Sequence, residues 1–476
     1  MSSSVSDNHS IKQHLPAIII MISGAFIAVL NQTLFTTVLP EIMADFHLTS
    51  SVAQWVTTIF MLVNGIMIPV TAYLSQRFSL RRLFFTALTL FLFGSLLGML
   101  APQYISILVG RAIQAMGAGI LMPLTQTFLF LVFPLEKRGM AMGLYGLVIG
   151  FAPAIGPTAS GWFVNMFNWR YLFLIILIIT IVVLVLGLFK MTNATELSKP
   201  SLDVLSVILS TLGFGGLLFG FSSAGQYGWG NPLSYVTIIV AVMILFAFVM
   251  RQLKLETPML EMRVFQHRSF TVPIALVVLM FLIFIGTMTM LPIYMQSMRG
   301  MSPLQSGLTL LPGGLVMGLL APINGRLYDK IGGRILAVAG MTFIFIGAVM
   351  ISFLNETSPL WYIILSFVIL TFGNSGIMVP MTTEAMNALP KSLIPHGAAM
   401  NNTLRQISAA IGTGLLVTVM SQFALAHGGD QVMSNIFGLQ WTYRIVAVIV
   451  IFGIIVATRI SKKQAYTLSI HSYSVQ

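Results

Sequence analysis

Arg111 and Gln114 interrupt an otherwise apolar run from about residue 105 to 130, and their spacing puts them on one side of a helix. A cation at the centre of a membrane helix costs about 2.5–3.5 kcal/mol on insertion scales, so it is kept where it meets a partner or a cavity. The competing reading is a side chain that snorkels outward from its place six residues into the run. Asn31, Gln32, Asn64, Gln126, Tyr145, Tyr294 and Asn374 place further amides and phenols in other apolar runs, with Asn31 and Gln32 expected near mid-membrane. Such groups donate and accept hydrogen bonds. Their chemistry is recognition of a small molecule in a cavity, and no nucleophile–base pair accompanies them. Carboxylates stand only at the margins: Glu41 at one side, and Asp203, Asp329 and Glu384 at the other. A proton carrier needs a pKa that shifts with access. Arg111, Asp203 and Glu384 are therefore the coupling candidates, with a solvated boundary residue as the alternative for the two acids.

The elements that hold such groups must be stable in lipid. The 476-residue chain is 57% hydrophobic and 8% charged, against about 25% charged in soluble proteins. Apolar runs of about 20 residues, the length that crosses a bilayer, fall at 16–39, 52–74, 83–101, 105–130, 140–162 and 170–190. Others fall at 203–222, 233–251, 270–297, 306–325, 336–354, 360–382, 400–425 and 441–459. Fourteen helices are expected rather than a barrel, whose alternating strands leave a much weaker hydropathy signal. The first run is too long for a signal-peptide core, so it reads as a retained helix.

The net charge of +12 is spread through short loops, which excludes a nucleic-acid face. Lys12, Arg77, Arg81, Arg82, Lys137, Arg138, Lys190, Arg251, Arg326, Lys330, Arg334, Lys391 and Arg459 share one side, whereas Arg170, Arg299 and Arg444 lie on the other. By the positive-inside rule both termini are cytoplasmic and the number of spans is even. No cysteine is present and the seven histidines show no ligand spacing, so no metal or cofactor is expected. A phosphate-binding GxxxxGK[ST] loop is also missing, which excludes direct use of ATP.

A weak internal repeat organises the spans. Ala72-Tyr73-Leu74-Ser75-Gln76-Arg77-Phe78-Ser79-Leu80-Arg81 aligns with Gly325-Arg326-Leu327-Tyr328-Asp329-Lys330-Ile331-Gly332-Gly333-Arg334. The expected plan is a tail (1–15), a six-helix bundle (16–190), two inserted helices (203–251), a linker (252–269), a second six-helix bundle (270–459) and a tail (460–476). Parallel repeats of this kind place a substrate site near the midplane between the halves.

Gly325, Asp329 and Arg334 form an ordered glycine–acid–base loop; glycine permits close helix approach and Asp329 can cap a helix N-terminus. The first copy carries Arg77 and Arg81 but has Ala72, Gln76 and Ser79 in the other key places. Gly143, Gly146, Gly150, Gly156, Pro157 and Gly161 give the fifth helix a smooth face with a bend. Arg405 follows Asn401 and Asn402 on the thirteenth, where it could serve a gate or pair with Glu384.

With these motifs nearly the whole chain resembles the fourteen-helix drug:proton antiporters of the major facilitator superfamily, the EmrB/QacA type, nearest the exporters linked to lincomycin resistance. The family pattern has glycine, aspartate and glycine where Ala72, Gln76 and Ser79 stand, so the first-half latch must differ. The resemblance implies an all-α membrane protein of two six-helix bundles plus two inserted helices, without enzymatic activity. It implies proton-coupled export of lipophilic or amphipathic drugs by alternating access, from a monomer in a bacterial cell membrane. It assigns proton coupling to the Arg111 region and gating to Arg77, Arg81, Gly156, Pro157, Gly325, Asp329, Arg334 and Arg405. The alternatives are export of an endogenous lipid, peptide or metabolite, and a uniport or import permease.

Overall fold

The computed structural model describes residues 2–35, 38–164, 166–191 and 203–460; the side chains of 2–13, 50, 51, 154, 157 and 225–227 also lie outside that description. Lys12, Lys199, Lys462, Lys463 and the Pro157 ring therefore stand outside it, as does the tail beyond residue 460. Fourteen described helices are long and apolar enough to cross a membrane. They are α1 (Ser2–Leu34), α2 (Trp55–Arg77), α3 (Leu80–Met99), α4 (Tyr104–Val132), α5 (Arg138–Val164), α6 (Arg170–Lys190) and α7 (Val204–Tyr227). The rest are α8 (Pro232–Lys254), α9 (Arg268–Ile293), α10 (Pro303–Ile331), α11 (Gly333–Ile351), α12 (Leu360–Asn387), α13 (Ile394–His427) and α14 (Gln431–Ala457). Backbone groups in lipid must be satisfied within each segment, and continuous helices do this.

Local chemistry marks where helices start and stop. Ser79 caps α3 by accepting the Arg82 N–H, and Ser302 and Gln305 form a capping box ahead of Pro303 at the start of α10. Gly332, with φ of +81°, ends α10 and lets α11 begin at the next residue. The first span ends earlier than expected: α1 stops at Leu34, and a separate short helix runs from Leu39 to Phe46. That short helix is held to α6 by Asp45, which accepts from Arg170 at 2.6 Å and from the Trp169 indole at 3.0 Å. The Arg170 guanidinium, with the indole, holds the Asp45 carboxyl below the usual carboxylate range.

Alternating helix direction gathers the basic loops at one end, called here the basic end. Helices α1 to α6 pack as one group and α9 to α14 as another, with α5 against α10 the most extensive contact between them. The inserted helix α7 packs on α8 and also on α2 and α13, one from each half. The Leu218 side chain covers Gly65 of α2, and the Trp229 indole donates to Thr418 on α13. Large apolar side chains such as Phe189, Phe246, Leu319 and Phe452 are exposed, as the lipid-facing surface of such a bundle requires.

The α5–α10 seam is uneven along its length. A Cβ on Gly139 would strike the Gly325 carbonyl, one on Gly143 would lie 2.7 Å from Pro322 Cα, and one on Gly150 would lie 2.7 Å from Gly318. Beyond that point the glycines of the two helices face other neighbours. Gly156 packs against Thr33 of α1, and Gly313 against Phe367 of α12. Among the described residues no atom lies within 4 Å of the Cβ position at Gly161 or Gly307. The glycine contacts between the two halves thus run from the basic end to the middle of the seam.

Inside the first half, α3 and α4 touch backbone to backbone: a Cβ on Gly94 would sit 2.5 Å from the Gly110 carbonyl oxygen and 2.8 Å from the Gln114 nitrogen. Backbone atoms on two packed helices cannot yield as a flexible side chain can. Overpacking of this kind costs about 1–3 kcal/mol, so Gly94→Ala is expected to lower the melting temperature in detergent. Gly161→Ala, with open space at its Cβ, is expected to leave it unchanged or slightly raised.

Candidate functional site

Three groups of buried polar residues lie along the bundle, and the first surrounds Arg111. Its side chain is fully buried and does not snorkel. Nε donates to the Val56 carbonyl at 3.1 Å, and Nη1 reaches Asn31 Oδ1 at 3.1 Å and Gln114 Oε1 at 3.2 Å. The guanidinium lies between the rings of Phe35 and Phe60, at 4.4 and 4.2 Å, so two cation–π contacts replace a counter-ion. Gln114 is oriented in turn by Ser95, to which it donates at 2.8 Å. Arg111 Nη2 and Asn31 Nδ2 remain without a protein partner. Asn31 stands three residues before the end of α1, and Arg111 seven residues after the start of α4. Both therefore occupy the half of the bundle away from the basic end, not the middle. Gln32 beside them is half-buried.

The second group lies between the halves. Gln126 on α4 accepts from Asn402 on α13 at 2.7 Å, leaving its own NH2 unpaired. Tyr145 on α5 is buried, donates to the Met122 carbonyl at 3.3 Å and lies within bonding reach of Arg405 on α13. The Arg405 guanidinium sits 4.4 Å over the Phe281 ring, with Nε unpaired. Asn64, Asn374 and Asn401 are fully buried, and neither polar atom of any of these amides has a protein partner. A buried unpaired amide costs about 1–3 kcal/mol, and such groups persist where a function uses them. Amides from α2, α4, α12 and α13 thus offer donors and acceptors without net charge. Among the described residues no three His, Asp or Glu side chains converge in a way that would hold a metal ion.

The third group closes the basic end. Asp329 on α10 accepts the Gly139 N–H at 2.8 Å and the Met140 N–H at 2.9 Å, capping the first turn of α5 where unpaired N–H groups and the helix dipole favour an anion. Glycine at 139 and 325 is what allows this approach. Next to it, Arg138 donates to Asn387 at 3.1 Å, Asn387 donates to the Tyr328 hydroxyl at 3.3 Å, and Tyr328 donates to Glu384 at 2.7 Å. This chain joins the start of α5 to a carboxylate that is only 4% exposed. Glu384 borders a cavity of about 360 Å³ with Arg268 and Arg459.

Several expected site residues are found elsewhere. Tyr294 lies at the far end of α9, where its hydroxyl donates to the Asn355 carbonyl at 2.6 Å, so it ties a loop and does not line the centre. Asp203 is not poised to carry a proton: it accepts from Arg251 at 2.7 and 2.8 Å and from Ser206, clasping α7 to α8. The Arg251 guanidinium, with Ser206, holds its carboxyl down at about 2. Arg81 donates to the Leu188 carbonyl at 3.1 Å and so braces α3 against α6, and Arg77 is exposed at the end of α2. Arg334 is half-buried in the first turn of α11, and Gly156 packs α5 on α1 within the first half. Arg405 lies beside Tyr145 and over the Phe281 ring, where the expected alternative was a pairing with Glu384. His396, Arg138, Tyr328 and Asn387 join the gate without having been singled out in the sequence. The repeat could have found Tyr328, since it precedes Asp329, but the others are set by the meeting of distant helices.

The chain was also compared with known proteins. The profile of the Major Facilitator Superfamily matches residues 21–413. The uncharacterized MFS-type transporter YcnB of Bacillus subtilis is 48% identical over 447 residues, covering 94% of this chain and 94% of that protein. Lincomycin resistance protein LmrB of Listeria monocytogenes is 38% identical over 455 residues, covering 93% and 94%. Among solved structures, the proton:xylose symporter XylE superposes with a TM-score of 0.65 at 14% identity, over 95% of this chain and 96% of that one, which is a likeness of fold.

Two substitutions separate the roles of the acids at the basic end. A depressed carboxyl stabilises the fold above its ordinary range and loses that contribution as pH falls from about 4 toward 2. Between pH 5 and 8 Asp203 stays ionised, so Asp203→Asn is expected to leave the pH profile of activity in place while loosening the α7–α8 clasp, seen as faster hydrogen exchange at the start of α7. Asp329→Asn keeps the shape but removes the charge facing the start of α5. It is expected to raise the reactivity of thiol probes introduced along the basic end of α5, with little change in ligand affinity.

Proposed function

The chain belongs to the major facilitator superfamily, in its drug:proton antiporter branch, and from that premise we propose that it exports lipophilic or amphipathic drugs from the cytoplasm in exchange for protons. One observation carries this reading: the α5–α10 seam is latched at the basic end by Asp329, and its glycine contacts stop at the middle. With the basic end in the cytoplasm, as the positive-inside rule directs, this is the outward-facing state of an alternating-access cycle. The inward-facing state would follow from release of the Asp329 cap and closure at the opposite end.

The uncharged amides of Asn64, Gln126, Asn374 and Asn401 suit ligands with few charges, and buried methionines such as Met378 and Met400 add an adaptable apolar wall. Arg111 holds a fixed cation in the outward half, where it would set the field met by an entering proton. Glu384 is the remaining acid suited to proton exchange, because it is buried, hydrogen-bonded to Tyr328 and linked through Asn387 to the gate. Relatives named for lincomycin resistance and multidrug export support the substrate class.

Inverted membrane vesicles given a fluorescent lipophilic cation in the outer medium test the proposal. Accumulation is expected only with an acid interior, and Arg111→Ala should abolish it without lowering the amount of protein in the membrane. Glu384→Gln should flatten its pH dependence. Uptake indifferent to the imposed gradient would remove proton coupling from the reading.

A further inference from the structure

Two latches hold the basic end closed, and only one of them is ionic. Gln76 of α2 occupies the repeat position of Asp329 of α10. Asp329 meets the start of α5, and Gln76 meets the start of α13 in the corresponding way. Its partner there is a side chain: the terminal amide of Gln76 lies 2.9 Å from His396 Nε2. The other ring nitrogen, Nδ1, accepts the backbone N–H of Glu261 at 3.1 Å.

Glu261 belongs to the segment between α8 and α9. One residue earlier, the Leu260 N–H donates to Gln252 of α8 at 3.1 Å, and Gln252 donates to Ser206 of α7 at 2.6 Å. His396 therefore joins three units at one imidazole: the first half through α2, the second half through α13, and the inserted pair through the strap that follows it. The ring is 5% exposed.

This arrangement depends on a neutral ring. An imidazole that accepts at Nδ1 carries its one proton on Nε2, so the Gln76 amide meets that nitrogen through its oxygen, an O/N orientation that the hydrogen-bond network decides. A second proton would set an Nδ1–H against the Glu261 N–H, donor against donor, and would leave a buried cation. The charged neighbours offer no compensation. On α2 the nearest charge in sequence is Arg77, and on the turn before α13 it is Lys391, both exposed cations. On the strap the Glu261 carboxylate is taken by Arg263 at 3.2 Å. Met386 of α12 and Leu389 just beyond it face the start of α13, and Glu384 receives the Tyr328 hydroxyl. Among the described residues no carboxylate forms an ion pair with His396.

We propose that His396 is a protonation-sensitive latch of the basic-end gate. Neutral, it ties α2, α13 and the strap together; protonated, it loses the strap, becomes a buried cation without a counter-charge and so favours the state that opens toward the cytoplasm and lets water reach the ring. Acid on the cytoplasmic side would then favour the loading state. The proposal rests on the alternating-access reading above.

Because the chain has no cysteine, spin labels at Glu136→Cys and Ser392→Cys can report the distance across the gate in the otherwise native protein. Lowering the pH from 8 to 5.5 is expected to move the wild-type population to longer separations. His396→Gln, permanently neutral, should stay short at both pH values. Gln76→Ala, which keeps the imidazole but removes its partner, should show the longer separation already at pH 8. A pH shift retained in His396→Gln, a wild type unmoved by pH, or a Gln76→Ala gate that stays short at pH 8 would each overturn the latch. A distance that also fails to respond to a transported drug would count against alternating access itself.

Discussion

Everything in this molecule depends on two helix backbones being allowed to touch. Gly139 against Gly325 and Gly150 against Gly318 bring α5 and α10 together without side chains between them. Only at that separation can the Asp329 carboxylate reach two N–H groups at the start of α5. In lipid there is little hydrophobic drive for helices to associate, so close packing and hydrogen bonds must supply it. A seam built from glycines and one cap is strong over a short length, and it can let go. Where the glycine contacts of the seam end, each half packs on itself, as Gly156 on Thr33 and Gly313 on Phe367 illustrate.

The polar residues are arranged around that separation of duties. Arg111 is held wholly within the first half by Asn31, Gln114, Val56 and two aromatic rings, so its position need not change when the halves move. The pairs Gln126–Asn402 and Gln76–His396 cross from one half to the other and must break in any rearrangement. Neutral pairs suit that task, because separating them leaves groups that water can solvate at modest cost, whereas separating a buried ion pair leaves unpaired charge. The charged clasp Asp203–Arg251 is found instead within the inserted hairpin, where nothing needs to come apart. That hairpin spans α2 and α13, and its strap ends on the imidazole of the neutral latch.

Much of this was legible in the residues. Fourteen apolar runs and one-sided basic loops specify a bundle, since lipid admits few other solutions for a chain with 8% charge. The glycine–aspartate loop at 325–334 marked a gate because its residue types have few other uses together. Arg111 with Gln114 marked a polar cluster by spacing alone. Where the reading erred, the cause was long-range. Asp203 looked like a free boundary acid because Arg251 stands 48 positions away and meets it only when α7 and α8 fold back. Tyr294 looked central because helix depth cannot be read without knowing where α9 ends and bends.

Sequence by itself determined the solvent, the number of spans, the repeat and the absence of a central acid, because each depends on composition or on neighbours along the chain. Tertiary structure alone decided which polar groups meet. It put Asn31 beside Arg111 across 80 positions and His396 beside Gln76 across 320, and it left Asn64, Asn374 and Asn401 without protein partners. Helical periodicity says which face a residue occupies, but the neighbour on that face is chosen by packing between helices far apart in the chain. For that reason Gln76 reads in sequence only as a missing aspartate, and in the structure as half of a neutral latch.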